Sequence, residues 1–123
     1  MRLTDRSATV ADLKEVATHF SRERDWDRLH TPKDLAIGLI TEASELLQQF
    51  RFRDEKQVQI LAGEKRSRSK FEDEIADVFF LLLRLSSKMN CDLAAAFERK
   101  LKKDGRRYPV QQTSRAKTHD EIL

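Results

Sequence analysis

The chain has 123 residues, which suits one domain around one core and leaves little room for a second. Hydrophobic residues make up 39% and charged residues 37%, with only three Gly and two Pro, a balance that fits a globular protein and argues against a strand-and-turn fold. The 24 Lys and Arg exceed the 21 Asp and Glu by three, and the two signs are interleaved, so the net charge alone does not imply a nucleic-acid partner.

The single cysteine, Cys91, cannot form an internal disulfide. The longest apolar run, Val78 to Leu83, is too short to cross a bilayer, and the start Met1-Arg2-Leu3-Thr4-Asp5 carries no apolar segment of signal-peptide type. The expectation is a cytoplasmic protein with no membrane association.

Four helices are predicted, an all-α bundle. The first spans about Val10 to Arg24, with Leu13, Val16, Ala17 and Phe20 at helical spacing, and a polar stretch from Asp25 to His30 breaks it. The second has a clear start: Thr31 as cap, Pro32 at the first helical position, and Asp34 at the positive end of the helix dipole. Its apolar stripe is Leu35, Leu39, Ile40, Ala43, Leu46, Leu47 and Phe50. Residues 51–69 read as a long polar loop with at most one helical turn around Val58, Ile60 and Leu61.

The third helix is predicted to open at Ser69-x-x-Glu72, a capping-box pattern. Phe71, Ile75, Val78, Leu82, Leu85 and Met89 form one face, but Phe79, Phe80, Leu81 and Leu83 make it apolar nearly all round, which predicts a second chain against it. Asp92 caps the fourth helix, with Leu93, Ala96, Phe97 and Leu101 inward and an end near Gly105 before Pro109. Residues 111–123 lack periodicity and are predicted to form a flexible tail after a domain spanning residues 1–110.

The chemistry-bearing residues sit on the second and third of these helices. Glu42 and Glu45 lie three apart on one face, in a row with Gly38 and Gln49, and Glu74 and Asp77 repeat the arrangement in a row with Leu81. Packed antiparallel, the two helices bring four carboxylates to one seam. Charges of one sign so placed repel strongly at low dielectric, and a divalent cation relieves them. Oxygen-only donors suit Mg²⁺ or Mn²⁺ rather than Zn²⁺. One Glu-x-x-Glu pair on a charged helix is usually a solvated edge; two pairs flanking the most apolar helices point more strongly to a metal site.

Glu42-x-x-Glu45, 28 intervening residues and Glu74-x-x-Asp77 resemble the metal-binding pattern of the MazG-like all-α nucleoside triphosphate pyrophosphohydrolases. Glu23-Arg24-Asp25-Trp26, His30, Pro32, Glu42-Ala43-Ser44-Glu45-Leu46, Asp73-Glu74-Ile75-Ala76-Asp77-Val78 and Arg107-Tyr108-Pro109 are similar to the dCTP pyrophosphatase branch of that family. The resemblance implies a Mg²⁺ site on Glu42, Glu45, Glu74 and Asp77, with Mn²⁺ as a possible substitute, and hydrolysis of a nucleoside triphosphate to monophosphate and pyrophosphate. It further implies dCTP or a related or modified pyrimidine deoxynucleotide as substrate, a role in nucleotide-pool sanitation, and a homodimer or a homotetramer built as a dimer of dimers.

In that branch the stretch from Trp26 to His30 contributes to the nucleotide pocket. Trp26 offers a ring for stacking, and His30 can hydrogen-bond a base or phosphate; a core anchor and a local structural bond are their alternative roles. Phe52 matches an aromatic position of the branch, whereas Leu81 stands where the branch has Tyr. Thr41 stands where some relatives carry a Glu proposed as the base, so the base falls to one of the four carboxylates or to a metal-bound hydroxide.

Among the cations, Lys100 or Arg107 in the basic end of the fourth helix, and Arg53 after the second, are candidates to neutralise the triphosphate; solvated helix-end charges are the simpler alternative. A non-catalytic module, binding nucleic acid through the basic C-terminal helix or serving as a regulatory partner, is the rival reading. The interleaved acids and the lack of aromatics among those basic residues count against nucleic acid.

Overall fold

The computed structural model describes residues 2–110 and contains α-helices with no strand among those residues. The helices are α1 (Val10–Glu23), α2 (Pro32–Gln48), α3 (Glu55–Gly63), α4 (Lys65–Lys88) and α5 (Leu93–Arg107), with a 3₁₀ turn at Asp27–Leu29. Two compact units divide the chain, Met1–Asn90 and Cys91–Leu123. The predicted flexible tail, 111–123, lies outside the described residues.

Local chemistry explains most helix starts. Thr9 accepts from the Asp12 amide at 3.1 Å while the Asp12 carboxylate accepts from the Thr9 amide at 2.8 Å, a reciprocal capping box. Thr31 caps α2 through the Asp34 amide at 3.2 Å, with Pro32 first in the helix, as the sequence predicts. Asp92 does the same for α5 through the Ala95 amide at 3.0 Å. That helix runs through Gly105 to Arg107, two residues past the predicted end.

The expected count of four helices is corrected to five α-helices among the described residues. Residues 55–63, expected as a loop with one helical turn, form the nine-residue α3, because Asp54 and Gln57 make a second capping box with bonds of 2.8 and 2.9 Å. The expected start of the long helix at Ser69 is also corrected. α4 begins four residues earlier, after an extended Glu64 that supplies no side-chain cap, and Glu72 accepts from Arg68 at 2.9 Å instead of closing on Ser69. Lys, Arg and Ser residues carry no helix-breaking penalty, and the Arg68–Glu72 pair supports the added turn.

Within the first unit, α2 and α4 form the principal pair, and α1 and α3 each pack on α4. Three contacts fix the direction of the pair. Phe50 stacks on Phe71 at 5.2 Å, Glu42 feels the charges of Asp77 and Glu74, and a Cβ at Gly38 would lie 3.3 Å from Leu81 Cδ1. Positions rise along α2 as they fall along α4, so the helices run antiparallel.

The buried apolar residues among those described are Ala17, Leu35, Phe71 and Leu83. Val16 and Phe20 of α1 and Ile75 and Phe79 of α4 stay exposed.

One buried charge ties the unit together. Arg84 is 1% exposed and donates to Thr18 Oγ1 of α1 at 2.6 Å, to His30 Nδ1 at 3.2 Å and to the Asp27 carboxylate. Lys88, one turn on, donates to the Asp27 carbonyl at 3.0 Å. The linker between α1 and α2 is thus held on α4 by charge-assisted bonds. Removing one partner of a buried pair strands the other, so Arg84→Ala is expected to cost about 3 kcal/mol, read as a lower urea midpoint; an unchanged midpoint would show that the linker is held by other contacts.

Candidate functional site

The antiparallel α2–α4 seam brings three of the four predicted acids into one cluster. Glu42, Glu45 and Glu74 each offer a carboxylate oxygen, and these oxygens lie within 4.8 Å of one another. Asp77 stands outside that trio, yet its charge acts on both Glu42 and Glu74. Glu42 and Glu74 are half-buried, and one oxygen of each, Oε2, is buried without a hydrogen-bond partner among the described residues. Glu45 and Asp77 are exposed.

The electrostatics are those of acids held together against their repulsion. The Glu42 carboxyl is pushed above its ordinary value first by burial, then by the hydrogen bond and charge of Glu45 and the charges of Asp77 and Glu74. Glu74 is raised by burial, then by Glu45 and Asp77, and Lys70 opposes the shift. Buried carboxylate oxygens that lack donors, in an oxygen-only set, fit a hard divalent cation of the Mg²⁺ type.

The aromatic candidates gather at the linker. Trp26, 42% exposed, lies edge-on to Phe20 at 5.7 Å and tilted to His30 at 6.4 Å, and Phe80 completes the group at 5.9 Å from Phe20 and 6.4 Å from His30. Phe20 and Phe80 also line an apolar groove of about 230 Å³ between α1 and α4, with Leu13, Val16, Ala76 and Phe79. His30 is held below its ordinary value by burial first and by the charges of Arg84 and Lys88, with Asp27 opposing.

The remaining predicted residues are placed as follows. Leu81 is half-buried against Gly38, at the seam. Phe52 is 91% exposed at a φ of 63°, with the Arg51 guanidinium 4.7 Å over its ring. Arg53 donates to the Gln49 carbonyl at the end of α2. Lys100 and Arg107 belong to the second unit, where Lys100 pairs with Asp104 at 2.7 Å and Arg107 lies 5.3 Å over the Tyr108 ring.

The sequence reading missed Arg84, Asp27, Lys88 and Thr18. A usable signal existed: Arg84 is a lone charge inside the most apolar stretch of the chain, where an unpaired cation is not tolerated.

Fold and site together describe an all-α protein with a carboxylate-lined helix seam. Comparison makes the assignment particular: the MazG-like family matches residues 37–121, more than half of the chain, and the chain belongs to that family. It is 30% identical over 102 residues to dCTP pyrophosphatase 1 of Bos taurus, covering 83% of this chain and 60% of that protein, and the Homo sapiens protein of the same name matches at the same identity and coverage. The chain therefore spans about 60% of the length of these relatives. The crystal structure of a pyrophosphatase from Archaeoglobus fulgidus DSM 4304 superposes with a TM-score of 0.75 at 30% identity, covering 88% of this chain and 99% of that one. No helix among the described residues is long and apolar enough to cross a membrane.

Glu74→Gln removes one of the crowded charges while keeping the side chain's shape. In EDTA at neutral pH its thermal midpoint is expected above that of the wild type; a lower midpoint in EDTA would mean the charge is not under repulsion.

Unfolded histidine takes up a proton near its ordinary pKa of 6.5, whereas folded His30 resists it. The stability from a neutral His30 is thus present above that value and lost as pH falls through the lowered one. Between about pH 7 and pH 5, the wild-type urea midpoint is expected to fall more steeply than that of His30→Asn, and equal slopes would remove His30 from the account.

Proposed function

We propose that this chain is a Mg²⁺-dependent nucleoside triphosphate pyrophosphohydrolase that converts dCTP, or a related or modified pyrimidine deoxynucleoside triphosphate, to monophosphate and pyrophosphate. The observation that carries the reading is the seam itself: a trio of glutamates flanked by Asp77, two of the three with a buried oxygen that has no partner among the described residues. Membership of the MazG-like family and similarity to proteins named dCTP pyrophosphatase 1 and pyrophosphatase support the reaction class and the substrate.

Glu42, Glu45, Glu74 and Asp77 would supply the oxygens that hold Mg²⁺, or Mn²⁺ in its place. When bound, the cation supplies charge neutralisation to the triphosphate and to the charge that develops in phosphoryl transfer. The seam holds the four acids on two rigid helices, so little reorganisation is needed at the moment of reaction. The half-exposed Trp26 ring is available for a base to stack on, beside the half-buried His30.

We take the working form to be a homodimer or a dimer of dimers, since Val16, Phe20, Ile75 and Phe79 remain exposed on one chain. The setting is the cytoplasm, and the role is removal of an unwanted nucleotide from the pool.

Purified protein with Mg²⁺ and a panel of dNTPs and NTPs tests the reading. The expected products are monophosphate and pyrophosphate, with a pyrimidine deoxynucleotide preferred. Glu45→Ala and Asp77→Ala are each expected to lose at least about a hundredfold in rate. Release of free phosphate in place of pyrophosphate, or undiminished rates in both variants, would reject it.

A further inference from the structure

Arg84 carries an inference that rests on the hydrolase reading and extends it to how the base is recognised. A guanidinium has donors and no acceptor, and it stays protonated at any pH the folded protein meets. The 3.2 Å bond from Arg84 Nε to His30 Nδ1 therefore places the lone pair on Nδ1 and the imidazole hydrogen on Nε2.

A protonated ring would turn a hydrogen on Nδ1 toward the Arg84 N–H. It would also add a positive charge beside Arg84 and Lys88. The charged groups about His30 are Arg84 and Lys88 from α4 and Asp27 from the 3₁₀ turn; α1 contributes the neutral Thr18 on Arg84 and Arg22, which is 3.9 Å from Asp27. His30 is thus a neutral ring with one donor, and Nε2 has no hydrogen-bond partner among the described residues.

The position of that donor matters. The His30 ring adjoins Trp26 and Phe80, in the aromatic group whose Trp26 member is open to solvent. Arg84 follows Asp77 by seven residues, two turns along α4, so it lies about 10 Å further along nearly the same face. The acid seam and the aromatic group are therefore two levels of one helix face, a separation suited to the phosphates and the base of one nucleotide.

We propose that Arg84 is a positioning residue for nucleobase recognition: it holds His30 as the Nε2–H tautomer, which donates to an acceptor on the edge of a cytosine-type base stacked against Trp26. Cytosine presents O2 and N3 as adjacent acceptors on one edge, and a ring with a single donor is matched to either.

Trp26 is the chain's one tryptophan, which makes the site its own reporter. Protonated imidazole quenches a neighbouring indole, so wild-type fluorescence is expected to change with pH at a midpoint below 6.5, the ordinary histidine value. In Arg84→Met that midpoint is expected to move up toward it. With deoxycytidine monophosphate as probe at about pH 7.5, above the ordinary histidine pKa, Trp26 quenching is expected in the wild type. Affinity should fall about tenfold in Arg84→Met and in His30→Asn, whose shorter amide can still accept from Arg84 but lacks a donor at the Nε2 position.

The second variant keeps the test decisive if loss of Arg84 unfolds the chain. An unshifted pH midpoint in a folded Arg84→Met, unchanged probe binding in His30→Asn, or no binding to the wild type would each overturn the proposal. Neither readout needs turnover, so a failure to release pyrophosphate would count against the hydrolase reading alone.

Discussion

Two apolar contacts on either side of the acid cluster hold the α2–α4 seam closed against its own charge. At one end Phe50 stacks on Phe71, and at the other Gly38 lets Leu81 approach to a distance that a Cβ would contest. Between them lie glutamates that repel one another and have no donors among the described residues for two of their oxygens. The geometry of the site is thus the balance of apolar packing at the ends against electrostatic repulsion in the middle. The missing side chain at Gly38 is part of the site for that reason, although it carries no chemistry.

The linker between α1 and α2 has the opposite character. It is short, mostly exposed, and includes Asp25 at a φ of 57°, a conformation that Asp tolerates better than most residues. What gives it one conformation is the buried Arg84, with bonds to Thr18, Asp27 and His30. A buried ion pair is a poor source of net stability, because desolvation consumes most of its Coulombic gain. Its value lies in direction: a guanidinium fork satisfies three acceptors only when all three stand in fixed places.

Much of this was legible in the sequence because it is local. Thr31-Pro32 and Asp92 mark helix starts through bonds to amides three residues on, and the two acid pairs declare their shared faces through spacing alone. The same locality produced the errors. Asp54-x-x-Gln57 and Ser69-x-x-Glu72 are equivalent as patterns, and only the first caps a helix; the second lies inside α4, where Arg68 takes Glu72. The Arg84 network joins residues 54 to 66 positions apart, so no spacing rule can reach it. An isolated arginine in an apolar run announces that a partner exists, but not which one.

Phe52 shows a different kind of constraint. Its backbone is left-handed at a φ of 63°, and its ring is 91% exposed, so a bulky side chain sits where glycine or asparagine would sit at less cost. The conformation costs about 1 to 2 kcal/mol for a residue with a Cβ, and the Arg51 stack returns only part of that. That cost is borne just past the end of α2, the helix that carries Glu42 and Glu45 of the acid cluster.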